Sequence, residues 1–310
     1  MPLISFDQLY ERADSLRQPY PVAVAGGADR TVLEALRTAC DRGWVTPFVV
    51  GIEDDIRKAA AACGVGLHGF TVVDAADAAA GAVALVRSQQ AGLLMKGQIS
   101  TPSLMKAVLD PVSGLRTERV ICQVVLMELR RRRLKPATTG HGRRFLLADT
   151  GVCIQPTLPQ KIDIVRSAVD LAHALGAECP RVASLAATEA VAASMPETVD
   201  GAELQRLNGS GEISGCLVRG PLSFDLAFDA GAAAKKKLGD PEFGVADIML
   251  FPNLLSANLT VKAIMYTAEC RFGGVLCGAS CPVVFMSRAD TTATRLNSLA
   301  LALNSLSRVG

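Results

Sequence analysis

The feature that most restricts how this chain can fold is a repeated alternation. A short apolar run gives way to a turn of small or polar residues, and then to a stretch with helical spacing. Val22–Ala25 leads through Gly26-Gly27-Ala28-Asp29 into a run in which Val32, Leu33, Leu36 and Ala39 share one face. Thr46–Gly51 leads into Asp54 and Asp55 and a run that stops at Cys63-Gly64. Phe70–Val73 is followed by an alanine-rich stretch from Asp77 to Gln89, and Leu93–Lys96 by Gly97 and a run carrying Leu104, Met105, Val108 and Leu109. Strands separated by helices pair in parallel with the helices on the faces, and ligands gather at the carboxyl ends of such strands. The expectation is an α/β protein. The Gly26–Asp29 turn matches neither a dinucleotide fingerprint nor a Walker motif, so it carries no nucleotide claim.

Composition narrows the class further. At 310 residues, half of them hydrophobic and 20% charged, the chain has the length for two domains and the apolar content for large cores. A net charge of +2 is too small to mark nucleic acid or an anionic membrane as the main partner. No apolar run approaches the roughly 18 residues of a spanning helix. The acid-containing N-terminus, MPLISFDQLYERAD, has no apolar core of a signal peptide. A cytoplasmic protein is expected. The nine cysteines are scattered through apolar segments, the pattern of buried thiols in a reducing compartment. His68, His141 and His173 are isolated in sequence, and Cys277 and Cys281 have no histidine beside them, so no metal site is expected.

Two stretches gather chemistry at predicted strand-to-helix turns. After Leu93–Lys96, the residues Lys96, Ser100, Thr101 and Lys106 can together hold an anion, with Thr101 as helix cap and Pro102 at the first helical position. The same residues also read as a Lys96 paired with some acid and a solvated Lys106. Near the C-terminus, a strand at Val283–Met286 breaks into Ser287-Arg288-Ala289-Asp290-Thr291-Thr292 before a helix whose apolar face is Leu296, Leu299, Ala300 and Leu303. Free backbone N–H groups and the positive end of the dipole favour an anion there, and Arg288 is suited to fork onto a phosphate. Alternatively Arg288 and Asp290 pair with each other within a cap. Between these stretches, Arg130–Lys135 places five cations in six residues, the pattern of a solvated turn. The Pro-bounded TGVCIQPTLPQ stretch leads into a helix with Ile162, Val165, Val169 and Ala172 inward, and a strand is expected over Glu212–Val218.

Taken in order, LMKGQISTPSLMK (94–106), FLLADTGVCIQPTLPQK (145–161), GCLVRGPLSFD (215–225), ADIMLFPNLLSANLTVKAIMY (246–266) and SRAD (287–290) resemble the phosphate acetyltransferase and phosphate butyryltransferase family, the butyryl branch being the nearer. The resemblance spans almost the whole chain. It implies a two-domain α/β/α architecture like that of isocitrate and isopropylmalate dehydrogenases, with residues 1–138 and 287–310 in the first domain and 139–286 inserted as the second. It implies exchange of phosphate and coenzyme A (CoA) on a short-chain acyl group, through a ternary complex of a homodimeric enzyme. The partners would be acyl-CoA, inorganic phosphate and acyl phosphate, with no metal or redox cofactor.

Ser287 and Arg288 match the family's Ser-Arg pair, in which the arginine binds phosphate. Asp225 falls in the matching GPLSFD stretch as a substrate-binding residue. Where the acetyl branch keeps a carboxylate, six residues after the arginine, this chain has Thr294, which leaves Asp290 as the nearby base. Cys122 and Gln123 stand where butyryl-type relatives are expected to carry Ser and His. Two other readings stay open: an acyl-CoA-binding paralogue with weakened catalysis, suggested by Thr294, and a nicotinamide-dependent hydroxy-acid dehydrogenase on the same fold.

Overall fold

A computed structural model of the chain describes residues 2–130, 143–236 and 243–306. Most of the basic run (Arg131–Lys135), together with His141 and Lys237, lies outside the described residues. Two compact units are present. The terminal unit comprises Phe6–Ile121 and the residues from Phe272 onward, and the inserted unit comprises Cys122–Arg271 with the first five residues. The unit boundaries thus lie at 121/122 and 271/272, and the expected 138/139 and 286/287 are corrected accordingly. The shift follows from pairing. β5 (Cys122–Leu129) zips antiparallel onto β6 (Arg143–Ala148), whereas β11 (Val283–Val284) lies parallel to β4 (Leu93–Lys96).

In the terminal unit, β1 (Tyr20–Ala25) pairs in parallel with β2 (Val45–Gly51) on one side and β4 on the other, and β3 (Thr71–Asp74) extends the sheet beyond β2. β10 (Cys270–Cys277) pairs antiparallel with β11. Helices α1 (Phe6–Asp14), α2 (Arg30–Asp41) and α11 (Thr292–Ser305) pack together, and α4 (Ala78–Arg87) covers β1 and β2. Helix α3 (Glu53–Cys63) ends as expected at Gly64, in the left-handed region at φ +69°. Helix α1 stops at Asp14. Asp14 turns outward to pair with Arg42 and to accept the Trp44 indole N–H, and Leu16 is left exposed.

Local capping sets the helix starts. Asp29 accepts from the N–H of Val32 at the start of α2, and Asp77 from Ala79 and Ala80 at the start of α4. In α5 (Thr101–Val108) the cap is Ser100, not Thr101: its hydroxyl accepts from the N–H of Ser103, which places Pro102 second in the helix. The turns after β1 and β4 press on each other. A Cβ at Gly97 would stand 2.0 Å from the carbonyl oxygen of Gly26, so only glycine allows this approach.

The inserted unit runs β5, β6, β9 (Ile248–Leu250), β7 (Arg181–Leu185) and β8 (Leu217–Leu222), parallel from β6 onward. Helix α6 (Leu158–Ala174) buries Ile164, Val165, Ala168, Val169 and Ala172, and its start is held by Gln160 accepting from the Thr157 N–H. Its Lys161 is buried against Asp200, which lies in α7 (Pro196–Gly209), at 2.6 Å. The strand expected over Glu212–Val218 begins only at Leu217. The Asn208 amide donates to the carbonyls of Ile213 and Cys216 and accepts from the Val218 N–H, which holds the intervening residues in a turn. Helices α8 (Phe224–Phe228), α9 (Ala230–Lys236) and α10 (Leu254–Thr267) complete the unit. No described helix is long and apolar enough to cross a membrane.

Candidate active site

Strand β4 is buried on both faces, so the residue at its carboxyl end is drawn inside with it. Lys96 is 1% exposed. Its ammonium reaches only the carbonyl of Gly97, at 3.5 Å, and no carboxylate lies within ion-pairing distance among the described residues. Burial pushes its pKa down to about 8. The positive charges of Arg295 and Arg288 push the same way, against the opposing pull of Asp290.

Next to it in the sheet, β11 runs out into the Ser287–Asp290 turn. Asp290 Oδ2 accepts from the Ser287 N–H at 2.6 Å, the Ser287 carbonyl accepts from the Asp290 N–H at 3.2 Å, and the Ser287 hydroxyl accepts from the Ala289 N–H at 3.3 Å. The cap of α11 is a different residue, Thr291, which accepts from the Thr294 N–H; the two threonine hydroxyls also bond to each other at 3.0 Å. Arg288 is exposed and has no ion-pair partner among the described residues, so the expected alternative of an Arg288–Asp290 pair is not what forms. The guanidinium is left available to a ligand.

A residue the motifs did not mark completes this end of the unit. Arg295, in the first turns of α11, is 0% exposed. Its Nε donates to the Thr31 hydroxyl at 2.9 Å and its Nη2 to the Ser287 carbonyl at 3.4 Å, while Nη1 is buried without a partner among the described residues. Thr31 in turn donates to Asp29 at 2.6 Å. Burial lowers the Arg295 pKa, and Asp29 and Asp290 act in the opposite sense. The legible signal was an arginine set four residues before Leu299 on a face that otherwise reads apolar.

The other predicted residues divide. Ser100 and Thr101 follow directly on the Lys96-Gly97 turn, but the Ser100 hydroxyl is committed to capping. Lys106 is exposed in the last turn of α5, about 9 Å along the axis from the cap at 1.5 Å per residue. It complements the helix dipole there and is not part of the Lys96 group. Asp225 belongs to the inserted unit, half a turn after the Ser223 cap, and pairs with Lys236 at 3.0 Å. Hydrogen bonds from Ser223 and Lys236 hold its pKa below the usual carboxylate range. Ser223 also donates to Glu189. Beside this cluster lies a mainly apolar cavity of about 540 Å³, lined by Leu185, Phe224, Phe251, Pro252, Thr260 and Ile264 among others. Among the described residues no group of three or more His, Cys, Asp or Glu side chains is arranged to hold a metal.

The family described as "Phosphate acetyl/butaryl transferase" matches residues 75–303, which take in both the Lys96 turn and the Ser287–Asp290 turn. This chain belongs to that family. The phosphate butyryltransferase of Clostridium acetobutylicum is 37% identical over 96% of this chain and 97% of its own length. The phosphate acetyltransferase of Rhizobium meliloti is also 37% identical, over 96% of this chain and 92% of its own. Among solved structures, a branched-chain phosphotransacylase from Enterococcus faecalis superposes with a TM-score of 0.78 at 29% identity, covering 93% of this chain and 99% of that one. Membership of the phosphate acyltransferase family and its α/β fold therefore agree with what the sequence resemblance implies. Relatives carrying the butyryl and the acetyl name stand at the same identity, so overall likeness does not choose the acyl chain.

Proposed function

We propose that this protein exchanges phosphate and CoA on a short-chain acyl group: acyl-CoA plus phosphate gives acyl phosphate plus CoA, within a ternary complex. The observation that carries this reading is the accumulation of positive charge around the Ser287–Asp290 turn. Among the described residues whose charges act on Lys96 and Arg295, the cations Lys96, Arg288 and Arg295 outnumber the carboxylates Asp29 and Asp290, at the carboxyl ends of parallel strands, an arrangement suited to binding and orienting a phosphoryl group. In this mechanism Arg288 and Lys96 hold the phosphate and stabilise charge as it develops. Asp290 takes the proton from the CoA thiol when CoA attacks the acyl-phosphate carbonyl, the carbon–oxygen bond to phosphate breaks, and phosphate leaves. Phosphate is a good enough leaving group for positioning and charge stabilisation to supply much of the rate.

The cavity of the inserted unit falls within the roughly 300–1,000 Å³ of small-molecule sites, and its apolar lining suits the acyl or pantetheine part of acyl-CoA. CoA enters as a substrate, and the reaction so read requires no metal or redox cofactor. A cytoplasmic homodimer remains the expected form. The deciding assay is phosphate-dependent thiol release from acetyl-, propionyl- and butyryl-CoA. Thr294 favours one second reading, an acyl-CoA-binding paralogue of low turnover, because a hydroxyl buried in the cap of α11 stands where the resemblance to the acetyl branch implies an acid. Tight CoA binding without thiol release would select it.

A further inference from the structure

We infer that Arg295 is a third phosphate-binding cation of the terminal unit, beside Arg288 and Lys96, with its Nη1, unpartnered among the described residues, as the donor that a phosphoryl oxygen takes up. The inference rests on the phosphate–CoA exchange proposed above and adds to it a residue that Ser287, Arg288 and Lys96 do not account for.

The position of Arg295 is costly in three ways at once. Its charge is fully buried, which disfavours an ion lacking a close counter-charge. It lies in the first turns of α11, near the positive end of the helix dipole, where a cation is disfavoured. No carboxylate comes within ion-pairing distance of it among the described residues, since Asp29 is reached only through the Thr31 hydroxyl.

The contacts Arg295 does make do not explain the burial of its charge. The Ser287 carbonyl already accepts from the Asp290 N–H at 3.2 Å, and the Thr31 hydroxyl already donates to Asp29 at 2.6 Å. Neither group is orphaned without the guanidinium. What those two contacts do achieve is orientation: held at Nε and Nη2, the planar fork has one fixed direction for Nη1. A buried donor left unpaired in this way calls for an explanation, and an oxygen ligand supplies one.

Lys96 gives independent support. It too is buried without a carboxylate partner among the described residues, and of the like charges acting on it Arg295 is the larger, ahead of Arg288. Two buried cations are thus close enough to repel each other. An oxyanion taken up by both relieves the repulsion and fills both sets of donors, and phosphate near neutral pH is a roughly even mixture of monoanion and dianion, either of which can do so.

The test uses the full-length Arg295→Met protein, melted in potassium phosphate and in potassium chloride of equal ionic strength, with KM measured for phosphate and for CoA. An apolar side chain of similar length removes the buried charge without leaving an unpaired acceptor. The melting temperature in chloride is expected to match or exceed that of the unaltered protein. The extra stabilisation by phosphate at a given concentration should shrink, and the phosphate KM should rise about ten- to a hundredfold, the effect of one charge-assisted hydrogen bond. The CoA KM should stay within about twofold. A folded Arg295→Met protein with unchanged phosphate stabilisation and phosphate KM overturns the inference.

Should the Met variant not fold, Arg295→Lys decides. It keeps the charge but cannot span both anchors and the ligand, so an unchanged phosphate KM overturns the inference equally. The two readings fail separately. Normal turnover with an unaltered phosphate KM in the variants removes Arg295 and leaves the exchange reaction standing. Phosphate stabilisation that depends on Arg295, in a protein that releases no thiol from acyl-CoA, removes the exchange reaction and leaves the phosphate site.

Discussion

The carboxylate of Asp290 accepts a hydrogen bond from the backbone N–H of Ser287 at 2.6 Å, which closes the turn that presents Arg288. The same carboxylate is the proposed base, because Thr294, where the resemblance to the acetyl branch implies an acid, is buried in the cap of α11. An asparagine side chain at this position would preserve an acceptor for Ser287 while losing basicity. Even a cysteine thiol, with a pKa of about 8.5, is only a few per cent thiolate at neutral pH, and an alkyl thiol such as that of CoA is no more ionised. Asp290→Asn is therefore expected to slow CoA consumption from acyl phosphate about tenfold or more at pH 7 and much less near pH 9. A pH–rate profile of kcat/KM for CoA checks this, and an equal loss at both pH values would remove Asp290 as the base.

Arg288 is exposed and free of ion pairs among the described residues, a guanidinium held ready but uncommitted. Arg288→Ala should lower kcat by on the order of 100-fold, as loss of a donor to developing charge does. Arg288→Lys should recover little of it, since an ammonium cannot reproduce the planar fork. Steady-state kinetics of both variants decide the matter, and near-normal kcat in either would remove Arg288 from the site.

Lys96 makes the phosphate site sensitive to pH. With its pKa lowered to about 8 by burial and by Arg295 and Arg288, against the pull of Asp290, it is charged below that pH and neutral above it. Phosphate kcat/KM should fall as pH rises through about 8, and Lys96→Gln should be low and flat over the same range. The linkage to folding has the opposite sense. Between pH 8 and the ordinary lysine value the unfolded chain binds more protons than the folded one, so stability without phosphate should rise with pH in that window. Denaturant titrations at pH 8 and 10, compared with Lys96→Gln, test that sign.

Lys106 stands at the far end of α5 from the Lys96 turn, exposed to solvent. Lys106→Ala is expected to change the phosphate KM by less than about twofold and to cost only the small stability of a cation at a helix C-terminus. A large rise in phosphate KM alone would return Lys106 to the phosphate site.

Ala263 lines the apolar cavity of the inserted unit. Ala263→Phe would fill part of it, and it should depress kcat/KM for butyryl-CoA more than for acetyl-CoA if the acyl chain lies there. Equal loss with both substrates would assign the cavity to another part of CoA, and no loss would exclude it from substrate binding.

Much of this protein was legible in residues close together in sequence. The strand–turn–helix alternation, the Asp29 and Asp77 caps, the stop at Gly64 and the placement of Ser287 and Arg288 at a strand end all follow from short-range rules of spacing, capping and turn chemistry. The ordered motifs likewise led to the family that the comparisons show.

What only the tertiary structure decided depends on partners far apart in the chain. Arg295 meets Thr31 across 264 residues, and no local pattern tells a buried arginine in such a contact from one lying on a helix surface. Lys106 and Ser100 share a helix, yet one lies at each end, and Asp225 is taken up by Lys236 in the inserted unit. The domain boundaries moved because strand pairing, a long-range choice, assigns β5 to one unit and β11 to the other. Periodicity determines which face of an element is apolar; which charges that face carries into the interior is determined by the surfaces packed against it.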